Sequence, residues 1–217
     1  MLTNANANYS GTTKTKAGTV RLDALPSGAF ELGQGTLHFT GASATTASGY
    51  TLKTESATRA AVLRVDGNVI FQGQVSALSG ALVKTGPGTA TFTASGENVF
   101  CADNGAGASH NVLDIGANGD SPTTGFSAFN IADGKVVIGA TGQTNRFNGL
   151  VVVGLNSTTN YNAETAGALE IVGGVTTMNS ELIIGRSNGT TNTAPAARVS
   201  KLRMTGGELT VGSLIIG

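Results

Sequence analysis

Much of what marks a common protein class is missing from this chain. It has one cysteine and no tryptophan in 217 residues. No internal disulfide can form, so any core holds by packing alone. Charged residues make up only 12%, and 13 Lys and Arg face 13 Asp and Glu. Such a balance gives no basic field for nucleic acid and no acidic tail. No apolar run approaches the roughly 18 residues of a membrane helix. Helical patterning is nearly absent, because Gly or runs of Thr and Asn interrupt every candidate window. The opening MLTNANANYSGTT lacks the basic and apolar regions of a signal peptide.

What the chain has instead is glycine, 32 residues of it, about double ordinary usage. There is no G-X-Y period, which excludes collagen. The hydrophobic fraction of 40% is enough for a core. The apolar residues come as short β-branched clusters such as TVRL, LVVVG, LEIV and LIIG. Strand patterns recur along the chain. Thr36–Thr40 places Leu37 and Phe39 on one face, and Thr89–Thr93 does the same for Ala90 and Phe92, with three threonines opposite. Short strands punctuated by Gly and Asn predict an all-β fold.

Repeats narrow the choice. LVVVG, LIIG and LIIG close on Gly154, Gly185 and Gly217, which are 31 and 32 residues apart. LEIVGGVTTMNSELIIG (169–185) matches LRMTGGELTVGSLIIG (202–217) with one residue fewer, and 129–154 is a looser copy. Three short strands in about 20 to 33 residues suit one coil of a parallel β-helix, or β-solenoid. Each coil has too little core to stand alone and buries its Leu, Ile and Val against the coils above and below. Gly86, Gly88, Gly173, Gly174, Gly206 and Gly207 are expected at coil corners. Asn side chains are expected to stack in ladders inside the turns.

The stretch LVKTGPGTATFTASGENVF (82–100) resembles the passenger-associated β-strand repeat of bacterial autotransporters. Leu82, Lys84, Gly86, Gly88, Thr89, Phe92, Gly96, Asn98 and Phe100 fall on that pattern. Tyr9, Gly11, Thr13, Gly18, Thr19 and Val20 look like the tail of another copy, and GTLHFTGASATTASGYTL resembles a segment that joins such repeats. Three departures stand out, the first being that Gly88 to Gly96 is two residues longer than the usual spacing. Ala90 replaces a usual Leu, and after Phe100 the repeat runs into CADNGAGASHN. The resemblance implies a right-handed parallel β-helix, exported across an outer membrane to the cell surface. It divides the chain into passenger-type repeats (1–100), an irregular insertion (101–128) and regular GG…LIIG coils (129–217). Both ends fall inside a repeat, which suggests a segment stacked on neighbouring coils of a larger parent.

Chemistry is sparse in the sequence. Cys101, Asp103, His110 and Asp114 form the one loose group worth naming as a speculative ligand site. Glycan-cleaving β-helices are the enzymatic alternative. Inverting hydrolases need two carboxyls roughly 6.5–9.5 Å apart, and lyases need carboxylates for Ca²⁺ and a base. No Asp-Asp pair or Gly-His-Gly supports either. Gly86-Pro87-Gly88 and Gly105-Ala-Gly107 open no helix, so they are poor phosphate cradles. Tyr9, Tyr50 and Tyr161 read as fillers of coil edges, with sugar stacking as the alternative. No cofactor is implied. The expected function is a non-catalytic stalk that displays loops, with 101–128, 155–166 and 187–198 facing surface glycans or host proteins. Loss of polysaccharide turnover on Asp114→Ala would favour the enzyme instead.

Overall fold

The computed structural model describes residues 11–25, 27–53, 60–102, 128–154, 167–185 and 199–216, and none of these is helical. After β1 (Thr13–Thr15) and β2 (Thr19–Leu22), the chain repeats a three-strand cycle. The cycles are β3 (Phe30–Leu32), β4 (Thr36–Phe39) and β5 (Ser43–Thr46); β6 (Tyr50–Lys53), β7 (Ala61–Val65) and β8 (Asn68–Phe71); β9 (Ser76–Ser79), β10 (Leu82–Thr85) and β11 (Thr89–Phe92). They continue with β12 (Gly96–Cys101), β13 (Ala128–Ile131) and β14 (Gly134–Ile138); β15 (Gln143–Phe147), β16 (Leu150–Val153) and β17 (Gly167–Ile171). The last strands are β18 (Val175–Ile184), β19 (Lys201–Met204) and β20 (Glu208–Ile216).

No strand pairs with its neighbour in sequence. Each described strand pairs in parallel with a counterpart in an adjacent cycle, and most pair on both sides, so a whole coil serves as the crossover that parallel pairing requires. Three parallel faces result. The second face runs as one ladder from β2 through β4, β7, β10, β13, β16 and β18 to β20. The third is β5-β8-β11-β14-β17-β19, and the first begins as β1-β3-β6-β9. The fold is an all-β parallel β-helix.

On the first face the ladder thins between β9 and β12. Val99 N still donates to Val75 O at 2.9 Å, but the Val75 N–H goes to the side-chain oxygen of Asn98 at 3.0 Å. Further on, β18 and β20 pass through the corner between the first and second faces without a break. The two repeats differ there by the one residue seen in sequence. Pairing shifts from Met178↔Val211 to Glu181↔Ser213, and Gly212 alone spans what Asn179 and Ser180 span below. A methyl on Gly212 would sit 2.7 Å from Ser180 O.

Alternation aims one row of each strand inward, and these rows fuse into a single apolar core from Leu22 to Ile184. Its centre is aromatic. Phe71 and Phe92 stack at 5.0 Å between ring centroids, and Phe100 and Phe147 at 4.7 Å, each pair on adjacent coils. Edge contacts from Phe92 to Phe100 and from Phe129 to Phe147 join them. Each buried ring contributes about 1.5–3 kcal/mol. Tyr50 belongs to this core. It is 2% exposed and meets Phe71 and Phe92 edge-on, so it is unavailable to stack on a sugar.

Coil length varies without disturbing register. Residues 54–59 and 103–127 connect strands of the first face to strands of the second, and 155–166 and 186–198 connect the second to the third. Across 103–127 the ladder simply resumes: Val83 pairs with Asn130 and Ala90 with Val136. Sequence placed the insertion boundary at 128/129; β13 already begins at Ala128.

Candidate functional site

The most organised polar site is a corner inside the stack. Strand β10 alternates so that Leu82 and Lys84 both point inward, and Lys84 is 0% exposed. Its ammonium donates to Gly86 O and Gly88 O, each at 2.6 Å, and to Asp133 O at 2.8 Å. An ammonium has three N–H groups, and all three are used. Burial pushes Lys84 down to about 8, against the opposing pull of the Asp133 and Asp66 carboxylates. The residue thus ties the corner after β10 to the corner of the next coil, across the 103–127 insertion. Its surroundings are glycine for a steric reason. A methyl on Gly134 would meet Lys84 Nζ at 2.3 Å, and one on Gly88 would meet Gly67 O at 1.8 Å.

A second internal network sits one corner further on, where β15 begins. The Gln143 side chain donates to Phe92 O at 3.1 Å and Ala94 O at 3.2 Å. Its oxygen accepts from Gly139 N, from Ala140 N at 3.0 Å and from Asn145 Nδ2 at 3.3 Å. Asn145 also donates to Thr176 Oγ1 at 3.3 Å, and Asn98 donates to Ala94 O at 3.1 Å. Asn98, Asn145 and Thr176 are register partners on successive coils, all fully buried. They form a polar row through an apolar core. At the outer corner Asn179 Nδ2 donates to Asn148 Oδ1 at 2.8 Å, one coil apart. Among the described residues Asn145 Oδ1 has no partner, but the bonds made by Gln143, Asn98 and Asn145 Nδ2 fix corners that apolar packing leaves free to slip.

Outside the stack, charges pair along the coil axis. His38 Nε2 lies 2.7 Å from Asp66 Oδ2, and Arg64 Nε donates to Asp66 Oδ1 at 3.1 Å. Burial raises the Asp66 carboxyl, but hydrogen bonds and charge from His38 and Arg64 outweigh it and leave it below the usual range. On the third face Glu170 accepts from Lys135 at 3.2 Å and Arg203 at 3.1 Å. Lys14 pairs with Glu31 at 3.1 Å beside Lys53. Among the described residues, no three His, Cys, Asp or Glu gather as a metal site.

Of the speculative group named from sequence, Asp103, His110 and Asp114 lie outside the described residues. Cys101 is fully buried at the end of β12, beyond a bulge that turns both Phe100 and Cys101 inward. Its sulfur accepts from Gly149 N at 3.3 Å, and burial pushes the thiol up to about 12. A thiol in that state is neither nucleophile nor ligand. The glycines divide by role. Gly86, Gly174 and Gly207 have positive φ, whereas Gly88, Gly173 and Gly206 have ordinary φ and meet carbonyls of the coil below. Sequence reading missed Lys84, Gln143 and Asn145 as interior groups. The signal was parity: Lys84 keeps step with Leu82, and Gln143 and Asn145 keep step with Phe147.

Fold and site together define a parallel β-helix whose organised polar groups lock corners inside the stack. No protein family, curated protein or solved structure matches the chain.

Proposed function

We propose that the chain is a non-catalytic, adhesive stalk segment of a large exported bacterial surface protein. One observation carries this reading. The second-face ladder keeps register through every coil although coil length changes repeatedly, and each inserted segment begins at a border of that face. A scaffold that tolerates insertions while holding its axis is suited to carrying loops away from a surface. The segments 155–166 and 187–198 leave from the same corner on successive coils, so a partner can meet both.

The last described coil leaves an apolar row open. Leu182 and Ile184 are 0% and 8% exposed, while their register partners Leu214 and Ile216 are 49% and 73% exposed. Export and the cell surface rest on the passenger-repeat resemblance, and the partners are surface glycans or host-cell proteins.

The test replaces 155–166 and 187–198 with short Asn-Gly turns in the full chain. Beads coated with the parent chain are expected to bind cell surfaces or a glycan array, and beads with the short-loop variant are not. Turnover of an acidic polysaccharide by the purified chain, abolished by Asp114→Ala or Asp66→Asn, would overturn the reading in favour of a glycan-active enzyme.

A further inference from the structure

The corner that follows the first face holds a small open cleft in the first described coils, lined by Lys14, Lys16, Glu31, Gly33, Gln34 and Lys53. Register explains its shape. Thr15, Leu32 and Leu52 are successive partners, all buried. The residues that follow them are Lys16, Gly33 and Lys53, so a glycine lies between two exposed lysines on neighbouring coils. Two coil spacings set those lysine backbones about 10 Å apart. Gly33 leaves the gap between them open. A methyl there would meet Thr15 O at 2.8 Å, and the Gly33 N–H is already donated to Thr15 O at 3.1 Å and Thr15 Oγ1 at 3.2 Å.

Beside the gap, Lys14 donates to Glu31 Oε2 at 3.1 Å. Among the described residues Glu31 is the one carboxylate in the lining. Three ammoniums against one carboxylate leave two positive charges, in a chain whose net charge is zero. Ammoniums are point charges with rotatable donors, fitted to a single oxyanion. A bare anion gains nothing from Glu31. A sugar acid gains from the whole lining: its anionic group meets the lysines, while its hydroxyls donate to Glu31 and accept from the Gln34 amide. The cleft is small, which favours a carboxylate over a bulkier sulfate ester. Nucleic acid, with its repeated phosphates, calls for an extended basic field instead.

We propose that the Lys16–Gly33–Lys53 cleft binds the carboxylate of a uronic-acid residue in an acidic polysaccharide, with Glu31 and Gln34 reading its hydroxyls. The site lies on the stack itself. Its anion chemistry stands alone, and the choice of a polysaccharide as the source rests on the adhesive reading. One sugar held here is a contact of about millimolar strength, which adds to capture by 155–166 and 187–198 without replacing it.

The test titrates the full chain with tetragalacturonate, neutral cellotetraose and inorganic sulfate, and follows the amide resonances of Gly33 and Gln34. Tetragalacturonate is expected to shift both and cellotetraose neither. Lys16→Gln with Lys53→Gln is expected to weaken tetragalacturonate about fivefold or more. Arg146→Gln with Lys201→Gln removes the same charge from exposed sites elsewhere on the stack, and is expected to change affinity by less than about twofold. No shift with tetragalacturonate, or equal weakening in both double variants, overturns the proposal. So does sulfate binding as tightly as tetragalacturonate, which would mark an adventitious ion only. Bead capture through 155–166 and 187–198 is scored separately, so either reading can fail alone.

Discussion

Lys84 shows what a single residue does in this fold. Its charge is held by three carbonyls rather than by a carboxylate, so its removal takes the ammonium donor from Gly86 O and Asp133 O, while Gly88 O keeps the Lys135 N–H. Lys84→Met keeps most of the volume and is expected to cost about 2–4 kcal/mol in urea unfolding. The pH dependence follows from the lowered value of about 8 against an ordinary 10.5. Below pH 8 folded and unfolded chains both hold the proton, and the burial penalty is complete. Between about 8 and 10.5 the unfolded chain holds it more tightly, so stability rises with pH. Unfolding at about pH 7 and about pH 10 should therefore show the parent gaining on Lys84→Met; an equal gap at both pH values would contradict it. Tyr50 is the opposite case, with a buried hydroxyl that finds no partner. Tyr50→Phe keeps the ring contacts and is expected to raise stability by about 1 kcal/mol, read as a higher midpoint in the same experiment. Neither role was plain in the sequence. A Lys and a Tyr in Gly-rich strands read as surface residues, and only their parity with Leu82 and Leu52 places them inside.

At the scale of the element, corners rather than strands decide the structure. The strands are short and individually weak, and what sets their register is how each corner is closed. Gln143→Leu would strand the Gly139 and Ala140 N–H groups and take the side-chain donor from the Phe92 carbonyl, while Ala94 O keeps Asn98, and is expected to cost about 2–4 kcal/mol. Gly88→Ala drives a methyl into the Gly67 carbonyl, a backbone group that cannot rotate aside. It is expected to cost about 3 kcal/mol or more, with a broadened unfolding transition. Strand identity was legible in the sequence because Leu37 with Phe39, and Ala90 with Phe92, alternate cleanly. The one-residue difference between the two GG…LIIG repeats was legible too, and it maps onto Gly212. Corner chemistry was less so. Paired glycines announce a turn, but the sequence does not separate a glycine needed for positive φ, such as Gly174, from one needed for close approach, such as Gly88.

For the whole molecule, the repeat spacing carried the architecture. Closing glycines 31 and 32 residues apart fit a stacked coil and no ordinary sandwich. What spacing could not carry was continuity past Phe100, where the repeat gives way to an insertion. Register there is set by contacts between residues far apart in sequence, Lys84 with the Asp133 carbonyl and Gln143 with the Phe92 carbonyl. The candidate site named from sequence fell in that insertion, and its one described member, Cys101, is core. Among the described residues, each strand lies against a parallel counterpart from an adjacent coil. Methyl NOEs from Ala90 test it most directly, because Ala90 pairs with Val69 on one side and with Val136 across the insertion on the other. Cross-peaks from the Ala90 methyl to both valines are expected. Cross-peaks to Val69 without Val136, or cross-strand contacts between β10 and β11 as in a hairpin, would contradict it.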